Sequence, residues 1–524
     1  MRGCTAWTWF LGSGTRGTNL NTTTSVDKSR FAPLAFLLTL AIRDWRFLTH
    51  PRMHLDEHVL YELFCDVGKH LFPGIEKNRI VFNTNGSLYY QGKSAEQLGK
   101  EGILAGGTTD APLNEHAREG HKPVPGQSCA SLGLAFLEDY IDEEALAFWR
   151  SIVEATRIDD LGGHDGSDPS QKRRKKPLMG MGMLLKAIHR CNHKPETVCD
   201  WVRLALHAVR DANKRRAKGE KMDLKDQLLC LGAEPADKAL EIWINWRFRK
   251  EFQDIANSRD LVTLFTTGRL GKLNFHRMGR EKGLLCTRGA NLSWSLLTRD
   301  RNLNGNRTIS SIVTCLLRED EDLLHVRSIM RDMIWTGRKT HEILDWAFMA
   351  FDARLRDNIS FSSALVELAS PSADRETIGA GDNQIRVLVV NSDSESIGPA
   401  TSVSEGKGNR PDVTVQIKSD HRVRIATNKS SHRAEVLKAR FMPILVGKLR
   451  RRDCEARGIA IPEGLDLNFE GSSEQMPWWF YHEGLAMLLN GSESAPDVEA
   501  TLLCPEEIFQ CLCEAWEEAC AIAA

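Results

Sequence analysis

Between residues 45 and 107, short apolar runs alternate with a stretch of helical spacing, and this alternation limits the fold more than any other feature of the chain. Residues 45–49 (Trp-Arg-Phe-Leu-Thr) are typical of a strand, and the apolar positions between 59 and 67 then recur with helical spacing. Two further strands are predicted at 79–82 and 102–107, the second entering a glycine-rich turn. Strands and helices that alternate in this way predict an α/β fold, with a mainly parallel sheet in its first domain.

The length of the chain indicates more than one domain. Its 524 residues, 42% of them hydrophobic, exceed the roughly 250–300 residues at which a single core stops growing. We predict an N-terminal extension outside the fold (1–44), a first α/β domain (45–170), a long, mostly helical middle region (171–380) and a C-terminal α/β domain (381–524). The last domain is indicated by apolar strand patterns from 385 onward and a final helix from 505 to 516.

Charge and cysteine content exclude some classes of protein. The 69 Lys and Arg residues nearly balance 70 Asp and Glu, so no overall field directs the chain to nucleic acid or membrane. The longest apolar run, residues 31–42, is shorter than the roughly twenty residues of a membrane-spanning helix. The 13 cysteines contain no CxxC pair, which favours reduced thiols. We expect a cytoplasmic protein, although the first thirty residues faintly resemble a transit peptide.

The segment 49–57, Thr-His-Pro-Arg-Met-His-Leu-Asp-Glu, is the most informative part of the sequence for function. It places His50, His54 and Asp56 in the predicted loop between the first strand and the first helix. Loops at the carboxyl ends of strands bind ligands in open α/β sheets, and two imidazoles with a carboxylate suit Mn, Zn or Fe. Histidines in such a loop also serve as caps or core residues, and Glu57 also suits the first turn of a helix because of the helix dipole.

Two further groups of metal-ligand types follow, each at the boundary of a predicted element. Glu115 and His116 come after the glycine turn, and Asp159 and Asp160 lie at the end of a predicted helix. Three such groups in an α/β pattern predict one divalent-metal centre. Its predicted ligands are His50, His54, Asp56, His116 and Asp160, with Glu57, Asp110 and Asp159 as further candidates.

The order of these motifs resembles that of the DHH-like phosphoesterase superfamily, and more closely its branch named for the melanocyte-proliferating gene, the MYG-type exonucleases. Members of that branch open with a strand and a Thr-His-x-x-x-x-His-x-Asp loop, which residues 49–56 match with one residue fewer. The family's Asp-His-His motif resembles Asn114-Glu115-His116, and its later aspartate segment resembles residues 158–160. The likeness covers about 45–165 and 385–515.

The resemblance implies a two-domain fold and a hydrolase that cleaves phosphodiester bonds in RNA, DNA or short oligonucleotides. It implies bound metal, Mn before Mg or Zn, which activates a water and neutralises the phosphoryl oxygens. Glu115 and His116 take the catalytic roles in this interpretation.

The chain departs from the family pattern at one motif and one strand. Asn114 stands where the family has Asp, Glu115 stands where it has His, and the strand end at 105–106 has no carboxylate. Such a site would hold fewer metal ions or be inactive. We therefore expect Asn114→Asp to tighten metal binding without disturbing the fold.

The carboxyl-terminal part of the sequence predicts a substrate-binding surface. His482, in Phe-Tyr-His, and the turn Asn490-Gly491 are similar to the family's Phe-x-His and its glycine-rich substrate loop, and we expect them to face the metal centre across a cleft. Residues 420–452 hold ten Lys or Arg against two Asp or Glu, with Arg450 and Arg451 among them. This basic stretch predicts contacts with a phosphate backbone or, equally, a solvated helix face.

Two other classes of function stay open at this point. The departures at 114 and at the strand end favour a catalytically inactive protein that binds nucleic acid or nucleotides. The long helical middle favours an interaction scaffold. The oligomeric state is not indicated by the sequence.

Overall fold

In this computed structural model, the described part of the chain comprises residues 28–38, 40, 42, 44–84, 89–115, 126–160, 180–189, 194–221, 323–338, 342, 346, 349, 353, 360, 361, 363–370, 373–404, 410–461, 463–472, 476–491 and 495–522. His116 lies outside the described residues.

The first sheet has three parallel strands, and the strand that precedes the histidine loop is its centre. The order is β2–β1–β3, with β1 at Arg46–Thr49, β2 at Val81–Phe82 and β3 at Ile103–Ala105. The mixed α/β fold with a parallel sheet is therefore confirmed. Because the strands are parallel, the loops that follow them meet at one edge, where Asn83 Nδ2 donates a hydrogen bond of 3.2 Å to Thr108 Oγ1.

Helices pack around this sheet and on one another. Their bounds are α1 Ala32–Leu37, α2 Leu55–Leu63, α3 Ala95–Lys100, α4 Cys129–Leu137, α5 Glu143–Asp160, α6 Met181–His189, α7 Pro195–Ala217 and α8 Val326–Trp335. After α2 the chain continues as a π-helical turn, Phe64–Gly68. No helix among the described residues is long and apolar enough to cross a membrane.

The division into regions differs from the prediction at both ends of the first domain. Residues 28–38 are not outside the fold, because Phe31, Leu34 and Leu37 are buried in the first core. The helices α6, α7 and α8 belong to that same core, because their buried apolar residues, such as Leu184, Val202 and Ile329, lie in one cluster with those of α2. Arg203 of α7 also donates to Glu62 of α2 at 2.6 Å, deep in the same unit.

The second sheet has six strands and begins earlier than predicted. The order is β4–β5–β6–β7–β9–β8, and only the β5–β6 pair within it is parallel. The strand bounds are β4 Ala373–Ile378, β5 Ile385–Asn391, β6 Val413–Ile417, β7 Val423–Thr427, β8 Phe480–His482 and β9 Met487–Leu489. Because β4 lies before residue 381, the second unit includes residues assigned by sequence to the middle region.

The second sheet is accompanied by the helices α9 Ile397–Ser404, α10 Met442–Ala456 and α11 Pro505–Ala521, and by a short helical turn, Ala434–Val436. A π-helical segment, Leu437–Phe441, leads into α10. One face of the sheet packs against α10 and α11 through residues such as Val415, Ile425 and Leu445. The alternate positions of β6 and β7 point to the other face.

Arg450 of α10 lies inside this second core and not on a basic surface. Its guanidinium is 0% exposed, and burial lowers the pKa of Arg450 to about 9. The backbone carbonyls that accept its hydrogen bonds, at 2.6–3.0 Å, are those of Leu467, Phe469, Gly471 and Trp479. The backbone there is irregular, and its buried carbonyls need hydrogen-bond donors. Because Arg450 supplies these donors and is buried, the prediction that it binds substrate is wrong.

We expect Arg450→Leu to lower the free energy of unfolding by about 3 kcal/mol or more, because buried carbonyls lose charged donors. The exposed neighbour provides a matched control, and Arg451→Leu should change stability by no more than about 0.5 kcal/mol. Urea unfolding followed by circular dichroism measures both. Equal effects of the two substitutions would contradict this role of Arg450.

Candidate metal centre

The loop after the central strand carries the first candidate ligands. β1 ends at Thr49, His50 follows directly, and α2 begins at Leu55. The backbone N–H of His54, the residue before α2, donates to Glu57 Oε2, so Glu57 caps the helix as its first-turn position predicts. The other oxygen of Glu57 lies 2.7 Å from His50 Nε2. The capping contact therefore brings a carboxylate to both histidines.

The structure brings His54, Asp56 and Asp160 together. One ligand atom from each of these side chains lies within 4.8 Å of the others, although Asp160 is at the far end of α5. His50, His54 and Glu57 form a second group by the same distance, and the two groups share His54. Three elements thus contribute to one cluster: the loop after β1, the first turn of α2 and the end of α5.

Asp56 lies in a place that disfavours a free carboxylate. It is 1% exposed, and burial, together with the charges of Glu57, Asp160 and Glu115, raises the pKa of Asp56 well above its usual range. Among the described residues, Asp56 Oδ1 has no hydrogen-bond partner although it is buried. Buried polar atoms normally have partners, and a bound cation would supply one here while it offsets the like charges.

At the His50–Glu57 pair, neighbouring charges lower the pKa of the carboxyl group, whereas at Asp56 they raise it. Burial alone would raise the pKa of Glu57, but the nearby imidazoles of His50 and His54 outweigh it and hold that pKa at about 2. Glu57 is therefore anionic, and its Oε1 can accept a hydrogen bond from His50 Nε2. The other ring nitrogen, His50 Nδ1, is buried without a hydrogen-bond partner in the described part of the chain. A histidine held by a carboxylate in this way is a common metal ligand.

Cys129 is a member of the cluster that sequence reasoning missed. It is the first residue of α4, it is fully buried, and its Sγ lies 2.9 Å from Asp56 Oδ2. Burial, and then the negative charge of Asp56, raises the pKa of the Cys129 thiol, so the thiol keeps its proton and donates a hydrogen bond to Asp56 Oδ2. Cys129 thus orients Asp56. The sequence marks this position only by a run of small residues, 128–131.

The glycine-rich turn after β3 requires glycine at position 107. Its φ of +64° lies in the left-handed region, and a Cβ placed there would be 2.6 Å from Glu57 Cγ. Any other residue would displace the carboxylate that pairs with His50. The turn is therefore needed for the close approach of α2 to the strand end.

The loop from 106 to 115 places Glu115 near the cluster and gives Asn114 a structural role. Glu115 is buried and its charge acts on both Asp56 and Arg30, but it belongs to none of the ligand groups found among the described residues. Asn114 Nδ2 donates to the carbonyl of Thr109 at 2.8 Å. An aspartate cannot donate this bond, so Asn114→Asp is expected to disturb the loop, contrary to the expectation from sequence.

The two remaining acidic candidates lie outside the ligand groups of the described residues. Asp110 Oδ1 accepts a hydrogen bond of 2.7 Å from the backbone N–H of Ala95 at the start of α3. Asp159 packs against Gly182 of α6, and its charge reaches His54. These contacts give Asp110 a capping role and leave Asp159 beside the cluster.

The predicted substrate-binding residues of the C-terminal part differ in how far they are buried. Asn490 is buried, and its amide donates to Trp478 and accepts from the backbone N–H of Thr501, so the prediction that it binds substrate is wrong. His482 is half-buried and accepts from the backbone N–H of Leu485. Gly491 forms a turn with φ +69°, and Arg451 is exposed.

One contact places the second unit beside the carboxyl edge of the first sheet. Asp497, which follows the Gly491 turn, donates its backbone N–H to the carbonyl of Thr84 at 3.0 Å. Thr84 lies two residues beyond β2. That His482 and Gly491 face the metal cluster stays a prediction.

No family model matches this chain, and neither a curated protein nor a solved structure is similar to it. The motif resemblance therefore carries no family assignment. The function has to be argued from the residues of the cluster.

In metal-free protein, Asp56 is expected to make the fold less stable as pH rises. Because the folded-state pKa of Asp56 is raised, its stabilising contribution is complete below about pH 4 and is lost as pH rises through the folded pKa. Asp56→Asn should therefore be more stable than wild type at pH 8 and similar to it at pH 4, as measured by urea unfolding in EDTA.

Glu57→Gln provides the control of opposite sign. Because the folded-state pKa of Glu57 is lowered to about 2, its contribution is present above about pH 4.5 and is lost as pH falls. This variant should be less stable than wild type at pH 8. Identical pH dependence in wild type and Asp56→Asn would contradict the electrostatic description of the cluster.

Proposed function

We propose that this chain is a metal-dependent phosphoesterase that hydrolyses phosphodiester bonds in nucleic acid or nucleotides. The observation that carries the proposal is the convergence of His54, Asp56 and Asp160, with ligand atoms within 4.8 Å, beside the carboxyl end of the central parallel strand. Ligand sites of open α/β sheets occur at this edge.

The chemistry of the donors favours a Mn-type ion. Imidazoles and carboxylates together suit Mn, Fe or Zn, whereas thiolates select softer ions. The one thiol in the cluster, Cys129, is held protonated against Asp56, because burial raises its pKa. The ion would be bound by His50, His54, Asp56 and Asp160. Glu57 would orient His50 through a hydrogen bond. The unpartnered atoms His50 Nδ1 and Asp56 Oδ1 fit this arrangement.

A bound ion of this kind lowers the pKa of a water and neutralises the charge of a phosphoryl group. The chain's own residues orient the ligands and move protons. Glu57 fixes the tautomer of His50 through the 2.7 Å contact to Nε2, and Cys129 orients Asp56 through the 2.9 Å contact to Oδ2. Glu115, which is buried and whose charge acts on Asp56 and Arg30, would accept or donate a proton in this proposal.

A catalytically inactive protein that binds nucleic acid or nucleotides is the second candidate. It is favoured by Asn114, whose amide is used to hold the loop at Thr109 and adds no charge to the site. The aspartate of the DHH-type motif is therefore missing without an evident replacement. Metal binding without hydrolysis is the behaviour that this candidate predicts.

Adjacent aspartates at the end of α5 allow a matched test of the phosphoesterase proposal. Asp160→Asn should lower Mn-dependent kcat/KM by about 100-fold or more, because the ion loses a charged ligand. Asp159→Asn, one position earlier and outside the ligand groups found in the described chain, should change it less than about threefold. The substrates are short RNA, short DNA and dinucleotides, with bound Mn measured by elemental analysis.

The outcomes separate the two candidates. Mn-dependent cleavage that is lost in Asp160→Asn and kept in Asp159→Asn supports the phosphoesterase. Stoichiometric Mn and salt-sensitive nucleic-acid binding without cleavage favour the inactive binding protein. Equal activity of both variants would mean that Asp160 does not hold the ion.

A further inference from the structure

A further group of metal-ligand types, with a thiol among them, adjoins the cluster described above. Asp56, Glu57 and Cys129 each offer one ligand atom, and these atoms lie within 4.8 Å of one another. The three residues are 1%, 2% and 0% exposed. We call them the inner group, and we call His54, Asp56 and Asp160 the outer group. The two groups share Asp56.

Two helices begin at the inner group. Asp56 and Glu57 lie in the first turn of α2, and Cys129 is the first residue of α4. The start of a helix stabilises anionic side chains, and it stabilises a thiolate in the same way. Both helix starts therefore favour the deprotonated forms in which Asp, Glu and Cys bind metal.

The distances in the inner group fit a zinc ion after a small adjustment. Cys129 Sγ lies 2.9 Å from Asp56 Oδ2. Zinc binds sulfur at about 2.3 Å and carboxylate oxygen at about 2.0–2.2 Å, which places the ligand atoms of a tetrahedral ion roughly 3.5 Å apart. The pair therefore has to separate by less than about 1 Å. Because an ion touches its ligands directly, this site needs no cavity of the size of a water molecule.

The carboxylate of Asp56 supplies an independent observation that points to a cation. Its Oδ1 is buried and has no hydrogen-bond partner among the described residues. Its Oδ2 has the thiol of Cys129, which is a weak donor. Neither oxygen of this buried carboxylate thus has a strong donor, although Glu57 adds a second negative charge beside it. A cation held between the two carboxylates would correct both deficits.

We propose that the inner group is a binding site for a thiophilic divalent cation, with zinc as the ion that fits it best. Zinc accepts carboxylate oxygen and sulfur together, and a thiol that binds it loses its proton. The S–H bond of Cys129 breaks, a zinc–sulfur bond forms, and the proton leaves to water without any transfer of electrons. Mn is a harder ion, so it leaves the thiol protonated and takes the nitrogen and oxygen ligands of the outer group.

Titration of the reduced, metal-free full chain with Co²⁺ tests this site. Co²⁺ replaces zinc in such sites, and it shows an intense charge-transfer absorption in the near ultraviolet when a thiolate is among its ligands. We expect this absorption to grow as Co²⁺ is added to wild type and to disappear when zinc displaces the cobalt. Absence of the absorption in wild type would overturn the proposal.

Cysteine variants locate the thiolate. Cys129→Ser should lose the absorption and bind zinc at least about tenfold more weakly, as measured by calorimetry, because a hydroxyl is a poor substitute for a thiolate ligand. Cys65→Ser is the matched control, since Cys65 is also buried in the first core and belongs to none of the ligand groups of the described residues. It should keep both the absorption and the zinc affinity. Equal absorption in wild type and folded Cys129→Ser would overturn the proposal.

X-ray absorption at the zinc edge tests the site in wild type, without any variant that could fail to fold. The first shell of bound zinc should contain sulfur at about 2.3 Å beside oxygen at about 2.0–2.2 Å. A shell of nitrogen and oxygen alone would overturn the proposal. Neither experiment measures hydrolysis, so Mn-dependent cleavage without thiolate ligation would contradict only the zinc site. Thiolate ligation that depends on Cys129, without cleavage, would support the zinc site and contradict only the phosphoesterase.

Discussion

The crowding of carboxylates beside the end of β1 is the constraint on which the rest of the first unit depends. Asp56 is buried, and its burial together with the charges of Glu57, Asp160 and Glu115 raises its pKa. Burial of like charges costs free energy unless a cation or a proton offsets it. A fold that keeps such a cluster therefore loses stability at neutral pH when no ion is bound, a trade-off typical of functional sites.

The surrounding structure is arranged around that cluster. Gly107 leaves room for Glu57, Cys129 donates to Asp56, and Gly182 leaves room for Asp159 at the end of α5. The helices α6, α7 and α8 extend the core behind α2 and α5, so they hold the two helices that carry the ligands. Of the predicted middle region, the helices α6, α7 and α8 thus share the core of the first unit, whereas Ala373–Ile378 belongs to the second sheet.

Local pattern was enough to predict the parts of the fold whose signals lie within one segment. The strand at 46–49, the loop with His50 and His54, and the α/β alternation were all readable in this way. Cys129 was missed because 73 positions separate it from Asp56, and no spacing rule reports a contact at that range. Arg450 was misassigned because a basic run gives no information on which arginine faces irregular buried carbonyls. Asn114 was misjudged because its partner is a backbone carbonyl, which has no sequence signature.

The most direct test of the metal centre is anomalous diffraction at the Mn absorption edge from crystals of the protein grown with Mn. We expect a peak about 2.0–2.5 Å from the ligand atoms of His54, Asp56 and Asp160, the range of metal–ligand bonds. His50 is expected to complete the ligand set through Nδ1. Absence of a peak between these side chains, at Mn concentrations that fill other sites in the same crystal, would contradict the assignment of this cluster as a metal centre.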